Sequence, residues 1–349
     1  MFFIVPLILS FMLVTNNIGL GVADTECPVV SSYADRRPNK NTLRLVQYNV
    51  EWLFIDYDSE SKCPGTGCSW SNTSEASTHL SYVSKVITDL KPDIINLCEV
   101  EGCDELSQLQ SNLKSSLSLD YNYYLKKGSD SATGQNVAML TLIDPLINLY
   151  RSEERYAYPI KNSRCGYTGE PSTSGVSKHY ITEFSIDSLK IAMISAHLIA
   201  YPTDASRCAQ REAQAQVLQD VIANYTSKNY EIIMLGDLND YDGEVLDLNN
   251  DVPISYTLDI LKGLYGNHAS AYKLTNIAEL IDKDQRYSNW WDKNGNCASA
   301  SNEFTMIDHL LVTDGLKDKI VNSFIYHEYE EYCGTYNSDH YPVVIDLLL

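Results

Sequence analysis

The sequence predicts a single α+β domain, and three observations carry that expectation. Short apolar runs of strand length, LRLVQYNV, IINLCEV, IAMISAHL, EIIMLGDL and FTMIDHLLV, alternate with helical stretches and long polar loops. The chain has 349 residues, 44% of them hydrophobic, enough for a large core. No Pro/Gly/Ser-rich linker, internal repeat or low-complexity tract divides it.

In chain order, residues 1–23 read as a signal peptide. The apolar run from Phe2 to Val14 is short for a membrane span, which needs ~20 residues, and Gly21 and Ala23 suit the minus-three and minus-one positions of signal-peptidase cleavage. Residues 24–349 then make up the domain, with no later stretch apolar enough to span a bilayer. All nine cysteines follow residue 23, which suits an oxidising compartment, and their odd number leaves at least one without a partner in the chain. Cys63 and Cys68 bracket a short turn and could close a small loop; Cys165 with Cys208, and Cys297 with Cys333, are candidate longer-range pairings that sequence alone does not fix. Sequons at Asn72 and Asn224 are compatible with glycosylation. The expected location is secreted, extracellular or in the endomembrane lumen.

In LRLVQYNV, alternation puts Leu43, Leu45, Gln47 and Asn49 on one face. A helix is expected from Ser74 to Leu90, with Leu80, Val83, Ile87 and Leu90 at near-helical spacing and a stop at Lys91-Pro92. In IINLCEV, Ile95 and Leu97 precede Glu99 on one face, and Cys98 points the other way. Ile191 and Met193 precede His197 in the same manner. A second helix is expected from Ala205 to Tyr225. Ile233 and Leu235 lead to Asp237, and Asn239 follows on the same side. Asp308 lies inside the apolar run TMIDHLL, where a buried carboxylate needs a partner. Asp339 and His340 stand just before the last apolar strand, and His340 is the natural partner. One polar strand end is ordinary edge solvation; five in one chain point to a site.

Such a set suits attack of water on a phosphate ester. A hard divalent cation takes oxygen ligands, which Asn49, Glu99 and Asp237 can supply. It polarises the phosphoryl oxygen and offsets charge on the leaving oxygen. A histidine held by a carboxylate can accept the proton of the attacking water. Net charge is −20, whereas proteins that bind nucleic acid by simple phosphate neutralisation are basic. An acidic chain must either avoid polyanions or recruit metal cations to meet phosphate, and a solvated surface is the ordinary use of such charge.

The ordered set QYNVEW, NLCEV, SAHL, GDLND, MIDHLL and SDHYP resembles the endonuclease/exonuclease/phosphatase superfamily, the deoxyribonuclease I-like fold, from about Leu43 to Leu347. The resemblance implies a four-layer α/β/β/α sandwich, with two mixed β-sheets face to face, helices outside and an active site where strand ends converge. It implies that Asn49 and Glu99 hold the metal, with Mg²⁺ the expected ion and Mn²⁺ or Ca²⁺ the alternatives. Asp237 would orient water or bind metal, Asn239 would bind phosphate, and His197 would contact phosphate or act as the acid. Asp308 and His340 would handle the proton, and Asp339 would complete the metal and phosphate environment.

The chain departs from that pattern at several positions. Cys98 stands where Gln usually precedes the metal Glu, Glu101 where some duplex-cutting relatives are basic, and Met306 where nucleases often carry Arg. Gln135 and Asn136 stand where an acidic partner for the first His is placed. Other histidines, His79, His179, His268, His309 and His327, match no motif, although His179 could line the cleft. Tyrosines and the pair Trp290-Trp291 suit either packing or base stacking.

These readings predict a secreted metal-dependent phosphodiesterase, a nuclease with nucleic acid as substrate. No stable membrane insertion after signal cleavage and no protein partner are inferred. The alternatives are a phospholipid (sphingomyelinase-like) or small phosphate-ester hydrolase, and a non-catalytic binding module on the same scaffold. The first would need an exposed apolar hairpin, which the sequence does not offer; the second sits badly with an intact polar set.

Overall fold

The computed structural model describes residues 27–55, 70–329 and 337–349. The expected signal peptide, the Cys63–Cys68 pair and Cys333 lie outside the described residues. The first half of the chain forms β1 (Thr42–Leu53), α1 (Thr73–Leu90), β2 (Ile94–Val100), α2 (Cys103–Leu117), β3 (Asn122–Leu125) and β4 (Asn136–Thr141). A small ribbon, β5 (Tyr156–Tyr158) and β6 (Ser172–Ser174), precedes β7 (Lys178–Ile186), β8 (Leu189–His197), α3 (Ala205–Thr226) and β9 (Glu231–Asp237). Then come α4 (Thr257–Leu261), β10 (Thr275–Asn276), β11 (Asn289–Trp290) and β12 (Phe304–Thr305). The chain closes with β13 (Asp308–Val312), α5 (Asp314–Lys317), β14 (Ile320–Ile325) and β15 (Val343–Leu348).

Two large mixed sheets result. One has the order β14-β15-β1-β2-β4-β3, the other β10-β13-β9-β8-β7. Each contains one parallel pair, β1 with β2 and β8 with β9, joined across α1 and α3 respectively. Parallel neighbours need such a crossover, and both helices carry the signals to form one. Asn72 caps α1 by accepting from the Glu75 amide, and the helix ends at Lys91 in a left-handed conformation just before Pro92. Asp204 caps α3 through the Arg207 amide.

Strand alternation sorts the apolar side chains into three layers. Leu43, Leu45, Ile94, Met139, Ile191, Met193, Ile233, Leu235, Leu310 and Ile345 meet between the sheets. Val46, Tyr48, Ile95, Leu97 and Leu140 face the other way, against Leu80, Val83, Ile87 of α1 and Leu106, Leu109 of α2. On the far side Ala192, Ile194, Ile232 and Met234 pack under Leu218 and Ile222 of α3. This is the expected α/β/β/α sandwich. Disulfides join Cys165 to Cys208, as the sequence suggested, and Cys27 to Cys103, which it did not. Among the described residues Cys98 is the free cysteine.

Candidate active site

Strand register lines up four polar residues at one end of the strands of the second sheet. Asp308 pairs with Asp237 across β13 and β9, and Lys178 pairs with His197 across β7 and β8. The parallel register of β8 and β9 brings His197 beside Asp237, with Nε2 3.5 Å from Oδ2. Asp308, Asp237, His197 and Lys178 thus form a row, one residue per strand, spaced by about 4.8 Å per strand. Gly236 makes the middle of this row possible. Its φ is +146°, and a Cβ there would sit 1.8 Å from the Ala196 carbonyl oxygen. Asp308 opens β13 rather than lying inside a longer strand: the run FTMIDHLLV breaks at Met306-Ile307, and Phe304–Thr305 pairs with β11 instead.

The first sheet supplies the facing wall through irregular backbone. Asn49 continues the face of Leu43, Leu45 and Gln47. Glu99 does not arrive as alternation predicts, because Ile95 and Leu97 face the helices while Ile94 and Cys98 face the core between sheets. A bulge turns Glu99 back toward the second sheet: the register shifts between Cys98 and Val100, and Glu99 has φ +69°. Cys98 is correspondingly not turned away. Its buried thiol lies beneath the site, 3.6 Å from the Gln47 amide nitrogen, and burial raises it well above the usual thiol range.

The side chains converge closely. Asn49 Nδ2 donates to Asp237 Oδ2 at 3.0 Å and to Glu99 Oε1 at 3.2 Å. Its Oδ1 accepts from the Glu51 amide, so the nitrogen rather than the oxygen faces the carboxylates. His340 Nδ1 meets Asp308 Oδ2 at 2.6 Å. His340 Nε2 points into the cluster, 3.9 Å from Asp237 Oδ2 and 3.7 Å from Asp339 Oδ1. Ser338 fixes the approach of this segment, donating to the Asn49 carbonyl and accepting from the His340 amide. Asn239 caps the end of β9: its backbone amide donates to Asp237 Oδ1 and its side chain to the Leu198 carbonyl.

Charge is concentrated and little solvated here. Burial and the neighbouring Asp308 push Asp237 up to about 7, against an ordinary value of 3.8. Burial opposes the charged form of His340, but Asp308, Asp339 and Asp237 together outweigh it and raise its pKa well above the ordinary histidine value. His197 goes the opposite way: burial, then the nearby cations Lys178 and His340, lower it well below that value. Glu99, His197 and Asp237 can present ligand atoms within 4.8 Å of one another, and so can Asp237, Asp308 and His340. The oxygen-rich donor set fits a hard divalent ion, which would offset the burial and the Asp308 charge that disfavour the ionised form of Asp237. Cys165, Cys208 and Glu212 also cluster, but the two thiols are spent in a disulfide. A 550 Å³ cavity lined by Cys27, Tyr124, Lys126 and Leu149 contains no histidine, so chemistry rather than hollow size locates the site.

No family model and no curated protein matches the sequence. Solved structures do match. An AP endonuclease from Archaeoglobus fulgidus superposes with a TM-score of 0.56 at 14% identity, over 88% of this chain and 100% of the other. An endonuclease/exonuclease/phosphatase family protein from Leptotrichia buccalis gives 0.54 at 13%, with the same coverage. This chain has the endonuclease/exonuclease/phosphatase fold. A 3′-5′ exonuclease from Neisseria meningitidis is a further neighbour, at 0.55 and 13%, again over 88% and 100%. Within that fold the structure brings Asn49, Glu99, His197, Asp237, Asn239, Asp308, Asp339 and His340 to one place, at the sheet ends named above.

Sequence reasoning missed several residues of this place. Lys178 stands beside His197, its ammonium donating to Gln135 Oε1 at 3.0 Å, so Gln135 answers a cation rather than the histidine. Ser288 donates to Asp308 Oδ2. Glu51 accepts from the Asp339 amide. Lys178 was legible as an alternating residue at a strand end; Ser288 arrives on a loop with no periodicity to read, and Glu51 lies where β1 breaks its alternation, at φ +48° within a register shift between Asn49 and Leu53.

The remaining histidines are accounted for elsewhere. His309 points away from Asp308, as its neighbouring position predicted, and bonds Asn276 and the Asp240 carbonyl. His179 does not line the cleft; it is buried and accepts from the Ser152 amide. His79 bonds the Val50 carbonyl and stacks on Trp70. His327 stacks on Tyr287, and His268 pairs with Asp220 on the surface. Trp290 is buried and donates to Glu303, whereas Trp291 is 56% exposed. Met306 belongs to the core between the sheets, and Asn136 bonds the Val100, Glu101 and Gly134 carbonyls.

Proposed function

We propose that the protein is a secreted, divalent-metal-dependent phosphodiester hydrolase of the nuclease type. The observation that carries this reading is the 2.6 Å pair of His340 Nδ1 and Asp308 Oδ2, with Nε2 turned into a cluster of carboxylates. Asp308 holds Nδ1 protonated, which leaves the lone pair of the neutral imidazole on Nε2. Nε2 takes the proton of a water as that water attacks phosphorus. His197, across Asp237, faces the same space and hydrogen-bonds a phosphate oxygen. Asn239 and Lys178 flank it, one as an amide and one as a cation for phosphate oxygens.

Glu99, Asp237 and Asp339 would hold the ion. Asn49 would join them by turning its amide over, at the cost of its bond from Glu51. Bound there, Mg²⁺ supplies Lewis-acid stabilisation of charge on the phosphoryl and leaving oxygens. The net charge of −20 favours this arrangement, since polyanion binding then depends on recruited cations. Secretion is supported by the disulfides Cys27–Cys103 and Cys165–Cys208. No helix among the described residues is long and apolar enough to cross a membrane.

The test offers duplex DNA, single-stranded DNA, RNA and sphingomyelin to wild type and His340→Ala, with Mg²⁺ or chelator. Cleavage of a polynucleotide that needs both Mg²⁺ and His340 supports the proposal. Activity that survives chelation, or equal rates for the variant, overturns the mechanism. Cleavage of lipid alone replaces the substrate class, and no reaction at all favours a binding module.

A further inference from the structure

We infer that Gln47 is a positioning residue for the Asp308–His340 pair; this deepens the hydrolase reading above and rests on it. Gln47 follows Leu43 and Leu45 on the core-facing side of β1, where the pattern calls for another apolar residue. It is fully buried, as are Asn96 and Cys98 next to it, and Asp308 is 1% exposed. A polar amide in that place costs stability unless its groups are bonded, and here they are bonded toward the site. Gln47 Nε2 donates to Asp308 Oδ1 at 3.0 Å. Asn96 Nδ2 donates to Gln47 Oε1, which fixes the way the amide points. Reversing it would set an amide oxygen against a carboxylate oxygen.

Asp308 therefore receives one donor on Oδ1, from Gln47, and two on Oδ2, from Ser288 and His340. The Gln47 bond is the only side-chain bond on Oδ1 among the described residues. It sets the rotation of the carboxylate about its own axis, and with it the direction in which Oδ2 meets the imidazole. Without it, Oδ1 is a buried, unpaired acceptor, and the carboxylate can turn away from His340. Gln47 reaches substrate nowhere; it acts through Asp308.

The test combines kinetics with a spectroscopic measurement. Hydrolysis of bis(p-nitrophenyl) phosphate with Mg²⁺ is followed for wild type, Gln47→Leu, Asp308→Ala and the double variant. Gln47→Met, similar in size and also without a donor, serves as the second apolar replacement, and circular dichroism confirms that each variant is folded. The expected result is a kcat about tenfold lower for Gln47→Leu, with KM and the Mg²⁺ dependence unchanged. In the Asp308→Ala background the same change is expected to cost less than about twofold, because its target is gone. Equal losses in both backgrounds would overturn the inference. Independently of any activity, the metal-free protein with ¹⁵N-labelled histidine should show a far-downfield His340 Nδ1 proton. That signal should shift upfield and exchange faster in both Gln47 variants; an unchanged signal would also overturn the inference. If wild type hydrolyses nothing, the proposed function fails while the proton signal still decides the role of Gln47.

Discussion

His340 joins a buried carboxylate on one ring nitrogen to an open cluster on the other, and its behaviour follows from that asymmetry. If it is the proposed general base, replacing it with Ala removes the acceptor for the water's proton, so kcat should fall by roughly 10²–10⁴ with little change in KM. Steady-state rates on a cleaved polynucleotide measure this. The pH profile gives a second handle. Asp308, Asp339 and Asp237 raise the pKa of His340, so the imidazole stays protonated, and unable to act as base, to higher pH than an isolated histidine. Asp308→Asn removes the nearest negative charge. The acid limb of the rate profile should therefore move to lower pH while the maximum rate drops. A limb that stays in place or moves upward contradicts the base assignment.

Individual elements place these side chains through departures from regular geometry. In β2 one bulged residue redirects Glu99 from the helix side to the side that faces the second sheet. In β9 a glycine with φ +146° allows the close approach of β8 that seats His197 beside Asp237. Gly236→Ala should be severely destabilising, by about 3 kcal/mol or more, since its Cβ would collide with the backbone carbonyl of Ala196. Denaturant unfolding or expression of soluble protein checks this. A substitution tolerated within ~1 kcal/mol would mean that β8 and β9 separate easily. α1 and α3 are ordinary by comparison: their caps and apolar faces make the parallel crossovers, and the site gains its position from them without using their side chains.

At the scale of the molecule, acidic groups are brought together out of water, Asp237 and Asp308 lying buried side by side at the ends of β9 and β13. Asp237 is raised from 3.8 to about 7, so the folded chain keeps a proton that the unfolded chain has lost across that interval. Its contribution to stability is therefore fully present below about pH 4 and lost as pH rises through about 7. Metal-free protein should lose thermal stability over that range from this group. Added Mg²⁺ should raise Tm more at pH 8 than at pH 5, because it binds the ionised carboxylates. Equal shifts at the two pH values would argue against Asp237 in the metal site. The net charge of −20 gives a further expectation. Moderate NaCl should lower KM for a polynucleotide at fixed Mg²⁺ by screening repulsion, the reverse of the salt response of a basic nuclease. Initial rates across a salt series measure it.

The sequence by itself determined the strand-and-helix pattern, the boundaries of α1 and α3 to within a residue or two, and the set of polar strand ends. It did so because alternation, capping and Pro92 act locally, over a few residues, and leave their mark in the order of the chain. It also marked Asp308 as needing a partner, since a carboxylate in an apolar run has few alternatives. Only the tertiary structure decided where Glu99 and Cys98 face, because a bulge inserts one residue and reverses the alternation beyond it. Only it placed Lys178 beside His197, bonded Ser288 and Gln47 to Asp308, and set the order Asp308, Asp237, His197, Lys178 across four strands. Those contacts join residues up to 261 positions apart, and register between strands, not any local preference, brings them together.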